Sequence, residues 1–162
     1  MAQARRTRRG RGHGLGRNGY TLRSGRRDGI RREERLAKRV IPLLLEILDT
    51  VKVFHWRTHS FATHKATDRL HEDLSEKVDE FVEVLLGKIG KERFEALRIP
   101  CVRVQVWRNN RESKMAVERY VRELTRLSKS ADVDRSADVD LLNLRDEMVA
   151  FLNKYLYLLT LA

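Results

Sequence analysis

From residue 33 onward, large apolar side chains recur every three or four positions in four stretches. That period commits the chain to helices that bury one face. The first stretch runs from about Glu33 to Trp56, with Ile41, Leu44, Leu45, Leu48, Val51 and His55 on one side. Pro42 either starts that helix or bends it. The second covers about Phe61 to Ile89, striped by Leu70, Leu74, Val78, Phe81, Val82, Leu85 and Ile89, with Gly87 and Gly90 marking its end. The third covers about Ser113 to Ser128, with Val117, Tyr120, Val121, Leu124 and Leu127 inward. The fourth covers about Asp138 to Leu161, where Asp138 and Asp140 suit the positive N-terminal end of a helix.

Between the second and third stretches lies Lys91 to Arg111, whose centre C-V-R-V-Q-V-W alternates like an extended segment. About ten extended residues match the length of a twenty-residue helix, so this segment can cross from one end of a helical body to the other. The reading is all-α: two helical hairpins joined by one long crossover, a four-helix bundle over 33–162. The competing reading makes Val102, Val104 and Val106 a strand, for which the rest of the sequence offers no partner.

Charge is partitioned. Of the 34 basic residues, eleven arginines fall in residues 1–32, with one acid, Asp28. Residues 33–162 hold 23 basic and 22 acidic residues and are nearly neutral. The first 32 residues also contain seven of the nine glycines and few large apolar side chains, so they are expected to form a disordered arm. Guanidinium forks match phosphate geometry, and glycine lets the backbone lie close to a polyanion. Arg5, Arg6, Arg8, Arg9, Arg11, Arg17, Arg23, Arg26 and Arg27 are the candidate nucleic-acid contacts. An acidic protein partner satisfies the same charge.

Three of the five histidines fall between Phe54 and His64. On the second helix His64, Asp68, His71, Ser75, Asp79 and Glu83 lie within about a third of the circumference. Asp79 and Glu83, four apart, can reach one ion together, and imidazole with carboxylate suits iron or zinc. The plainer reading is a solvated flank of an amphipathic helix beside a satisfied core histidine, His55. Thr58 or Ser60 can cap the second helix, with Trp56 and Phe61 stapling the turn and His59 exposed in it.

These residues resemble known families. His55-Trp56, then Phe61 and His64, then Asp79-x-x-x-Glu83 is similar to the ferroxidase segment of Dps proteins, the ferritin-like DNA-protection proteins of starved bacteria. That resemblance implies His55, His64, Asp79 and Glu83 as ligands of a site formed between subunits of an oligomer, with iron as the metal. The interval from His55 to His64 is about one helical turn shorter than in that family, and no arginine follows Glu83. The pattern H-W-x-T-x-S-x-A-x-H-x-A-T-D, read here from His55 to Asp68 and continued by Asp79-Glu80-Phe81-Val82-Glu83-Val84, resembles small ferritin-like proteins of giant double-stranded DNA viruses. It implies a ferritin-like bundle and a virion-associated protein.

Cys101 is the only cysteine, which excludes an intrachain disulfide and suits a reducing compartment. No apolar segment follows the first arginines, so no secretory signal is expected; virion, host nucleus or cytoplasm are the expected locations. The longest apolar run, Val40 to Leu45, is broken by Pro42, which excludes a membrane span. S-A-D-V-D occurs at 130–134 and 136–140 and reads as a duplicated turn, since a calcium loop would need a central glycine and a closing glutamate. Three functions are open: a packaging protein holding nucleic acid or acidic virion components, a Dps-like iron oxidase working as at least a dimer, and a basic component of a ribonucleoprotein.

Overall fold

The computed structural model describes the backbone of residues 18–161 and the side chains of residues 31–161. Helix α1 spans Asn18–Arg57 and α2 spans Phe61–Ile89. A short α3, Lys91–Glu95, opens the crossover, and α4 (Asn110–Arg126) and α5 (Val139–Leu158) follow. Single 3₁₀ turns extend α4 through Lys129 and α5 through Leu161. Among the described residues there is no strand, and no helix is long and apolar enough to cross a membrane.

The largest difference from the sequence reading is the start of α1. It begins at Asn18 rather than near Glu33, so residues 18–32 of the expected disordered arm are helical. Nucleation is the costly step of helix formation, and the packed turns from Leu36 onward supply it. Arginine is a good helix former, and each glycine costs only about 1 kcal/mol once the helix exists. Residues 1–17 of the arm lie outside the described residues. Helix α1 also runs through Pro42. The lost hydrogen bond and ring clash cost about 3 kcal/mol. Burial offsets this, since Val40, Ile41, Leu44 and Ile47 are each at most 6% exposed and such side chains contribute about 1.5–3 kcal/mol apiece. The stripe on α1 is rotated from the expected one: Leu36, Val40, Leu44, Ile47, Val51 and Phe54 are buried, while Leu45 and Leu48 are only partly covered.

The hairpins close as their caps require. Ser60 accepts the Thr63 amide at 3.2 Å and starts α2. Gly90, at φ 88°, ends α2 in a conformation that costs a side-chain-bearing residue strain. Asn109 Oδ1 accepts the Glu112 amide at 3.0 Å and caps α4, and the Glu112 carboxylate accepts the amide of the preceding Arg108 at 2.9 Å.

The crossover travels alongside α1. Arg93 pairs with Glu34 at 3.2 Å at one end. Midway, the Gln105 amide donates to Thr50 Oγ1 at 3.0 Å. Beyond the crossover, Thr63 donates to Asn110 at the other end, 3.2 Å away. The alternating valines are therefore an extended connection without a strand partner. Trp107 anchors it, edge-on to Phe54 with ring centroids 5.5 Å apart and 3% exposed. Helix α5 then packs on α2 and α4, and Ser113 and Tyr155 share a buried hydrogen bond of 2.7 Å.

Candidate functional site

The histidine cluster sits where α1 hands over to α2. His55 ends the buried stripe of α1 at 8% exposure. Its ring stacks on His64, with centroids 3.9 Å apart and planes 25° apart. His55 Nδ1–H donates to the His64 carbonyl at 3.1 Å, and His64 Nδ1–H donates to the His55 carbonyl at 3.2 Å. A carbonyl only accepts, so these contacts place the proton on Nδ1 of both rings. Thr67, fully buried, donates to the carbonyls of Thr63 and His64 and completes the lock. The exchange ties the last turn of α1 to the first turn of α2 across a three-residue connection. His55 Nε2 lies 3.8 Å from an Asp68 carboxylate oxygen. Burial, with the charge of Lys52 and the neighbouring His55, holds His71 below its ordinary value.

The four expected metal ligands do not come together in one chain. His55 and His64 meet at the turn, but Asp79 lies fifteen residues beyond His64 along α2, roughly 22 Å at the helical rise. Asp79 and Glu83 are exposed and make no ion pair among the described residues. No group of three or more His, Cys, Asp or Glu converges to metal-holding distance among the described residues. Within one chain a straight helix carries His64 and Asp79 apart, so the expected site between subunits would need ligands from two copies. Trp56 and Phe61 do not staple the turn; they are 69% and 76% exposed.

The opposite end, where α1 leaves the packed body, is built from arginines and aspartates. The duplicated S-A-D-V-D supplies the acids. Asp132 Oδ1 accepts Arg35 Nε at 2.8 Å, and its Oδ2 lies 3.7 Å from Arg39. Ser130 Oγ accepts Arg39 at 2.8 Å. Asp134 meets Arg32 at 3.3 Å, but bonds from the Ser136 hydroxyl and amide and the Ala137 amide are what hold its carboxyl down at about 2. Asp138, fully buried, accepts the Asp134 amide at 2.8 Å and forms ion pairs with Lys88 at 3.3 Å and Arg32 at 3.6 Å. Lys88 also reaches Asp140 at 3.1 Å. Burial and the adjacent Asp138 charge raise the Glu33 carboxyl.

Of the expected nucleic-acid contacts, Arg5, Arg6, Arg8, Arg9, Arg11 and Arg17 lie outside the described residues. Arg23, Arg26 and Arg27 stand on the helical backbone of α1. Arg31 is exposed at the start of the described side chains.

Two polar features escaped the sequence reading. Glu46 Oε1 accepts Gln105 Nε2 at 2.7 Å, Arg119 at 2.8 Å and the Tyr120 hydroxyl at 2.9 Å, pinning the crossover and α4 to α1. Burial raises the Tyr120 hydroxyl far above its ordinary value. Arg145, 6% exposed, donates to the Leu124 and Thr125 carbonyls that end α4. Both depend on residues twenty or more positions apart or on a helix end that a local pattern does not mark, so no sequence signal pointed to them.

Compared with known proteins, residues 55–159 match a family model described as a family of unknown function, DUF5856. No curated protein and no solved structure matches the chain.

Proposed function

The chain belongs to the DUF5856 family, and from its own residues we propose that it is a helical scaffold that holds nucleic acid through its arginine-rich N-terminal segment. The observation that carries this reading is the charge partition: eleven arginines and one acid in residues 1–32, against near neutrality in the remainder. Surplus charge concentrated on one segment is an electrostatic footprint for a polyanion. The folded body carries nearly equal numbers of acids and bases, and Arg32, Arg35, Arg93 and Arg119 pair with its carboxylates. A ferritin-like bundle is the finer description of the scaffold. Two helical hairpins joined by a crossover alongside α1 support it, as does the resemblance of residues 55–84. The same resemblance supports a packaging role in a virion.

A titration of the full chain with a mixed-sequence DNA duplex tests this. Binding should weaken linearly in log–log form as salt rises, with a slope of no more than about −10. Replacing Arg5, Arg6, Arg8, Arg9, Arg11, Arg17, Arg23, Arg26 and Arg27 by glutamine should flatten it. Equal affinity for polyglutamate of matched charge would transfer the reading to an acidic protein partner. A slope untouched by the nine replacements would end it.

A second reading, a Dps-like iron oxidase shared between two copies, is favoured by one observation. Both histidines of the turn spend Nδ1–H on backbone carbonyls, the arrangement that fixes an imidazole for ligation through Nε2. Asp79 and Glu83 would have to come from the second copy. Ferrous oxidation under oxygen that His64→Ala and Asp79→Ala both abolish would support it. A rate equal to the protein-free control would dismiss it.

A further inference from the structure

We infer that Arg31, Arg35 and Arg39 on α1, with Arg126 on α4, form a second phosphate-binding track that the 130–138 loop covers in the free protein. In this arrangement Asp132 stands where a phosphate goes. The inference rests on the nucleic-acid reading above and extends the interface from the arm onto the folded body.

Arginines fall at positions 23, 27, 31, 35 and 39, one every four residues along a continuous helix. Each step of four turns about 40° around the axis, so neighbouring positions lie side by side while the row winds along the helix. The row of positions therefore continues from the arginine-rich segment onto the packed part of α1, where Arg31, Arg35 and Arg39 stand. It ends at an apolar-floored groove between α1 and α4, lined by Arg39, Leu43, Arg126 and Leu127. Arg126 is exposed and has no carboxylate partner among the described residues. Its neighbour Glu123 turns instead to Arg119, at 3.5 Å.

Asp132 is the acid that covers this stripe. One carboxylate bridges two guanidinium groups a helical turn apart, at 2.8 Å and 3.7 Å. That is how a phosphate would be held. The carboxylate makes no other hydrogen bond or ion pair among the described residues. The rest of the loop is held independently, Asp134 by the Ser136 and Ala137 groups and Asp138 by Lys88 and the Asp134 amide. Asp132 can therefore release its arginines while the loop stays anchored. The Arg35 and Arg39 side chains are 59% and 48% exposed, and exposed pairs contribute little to stability. A polyanion gains counterion release at the same arginines, so it displaces Asp132.

The test uses the full chain and a mixed-sequence DNA duplex. Asp132→Asn, which keeps the side-chain shape, should tighten binding roughly threefold to tenfold at low salt. Glu76→Gln, an exposed residue of α2 that changes net charge equally, should do clearly less. Arg35→Ala with Arg39→Ala should lower the magnitude of the salt slope by about 2, and adding Asp132→Asn to that pair should gain nothing. Unchanged helical circular dichroism would certify each variant as folded. If Asp132→Asn behaves like Glu76→Gln, or the double arginine variant keeps the wild-type slope, the inference is overturned while the arm reading stands. If the wild-type chain binds no duplex at all, the arm reading falls and this inference falls with it.

Discussion

The two ends of the helical body treat polar side chains in opposite ways. At the α1–α2 turn, His55 and His64 exchange hydrogen bonds with each other's backbone and stack face to face, so the cluster is closed on itself. At the far end, Arg32, Arg35 and Arg39 meet Asp132, Asp134 and Asp138, and the arginine row continues up α1 with only Asp28 to offset it. The difference separates polarity that closes on itself from polarity that leaves charge of one sign to spare. A cluster whose donors and acceptors are satisfied locally specifies the fold. A cluster that ends in surplus charge of one sign has capacity left for a partner.

The aspartate end is most sensitive at Asp138. Asp138→Ala leaves Arg32 and Lys88 without their buried acid and is expected to cost about 3 kcal/mol, read as a lower urea midpoint. A loss under about 0.5 kcal/mol would show that the buried acid is not what fastens this end. His55→Ala should cost about 2 kcal/mol, because it opens a cavity and removes one of the two side-chain donors of the His64 carbonyl, leaving only the Thr67 hydroxyl. If it costs nothing, the turn is not locked by the pair.

Acid titration should separate the two ends. His71 is held below its ordinary value, so the folded state favours the neutral ring. Its contribution is complete above about pH 6.5 and is lost as pH falls through the lower folded value. Asp134 is held down at about 2, so its contribution is complete above its ordinary value and is lost only as pH falls toward 2. Stability measured against pH should lose its mildly acidic slope in His71→Gln and its strongly acidic slope in Asp134→Asn. An exchange of those two windows would refute the assignment. The smallest effect belongs to Asp132→Asn, whose urea midpoint should shift by less than about 0.5 kcal/mol. A large loss would mean that Asp132 holds the fold together and is not displaceable.

Helix identity was legible because burial of one face imposes a period on each stripe. Leu70 through Ile89 on α2 and Leu141 through Leu159 on α5 are buried much as their spacing requires. The start of α1 was not legible. Gly19, Gly25 and Gly29 argue locally for a chain that stays unfolded, and helix propagation from a packed neighbour overrides that preference. The candidate metal set was legible as spacing along one helix, and its expected site between subunits needs a second copy. Residues on one helix face lie 1.5 Å apart per position, so within one chain a shared face does not bring His64 and Asp79 to one ion. The Glu46 node and the aspartate loop were hidden because each joins segments more than fifty residues apart. The repeated S-A-D-V-D announced a turn without announcing that its acids would meet the arginines of α1.

The most direct measurement is a backbone amide NMR titration of the full chain with a short DNA duplex at low salt. Shifts should concentrate in residues 5–39 and 126–135 and leave 55–71 unmoved. Shifts centred on the histidine turn, or none anywhere, would contradict the assignment of binding to the arginine end.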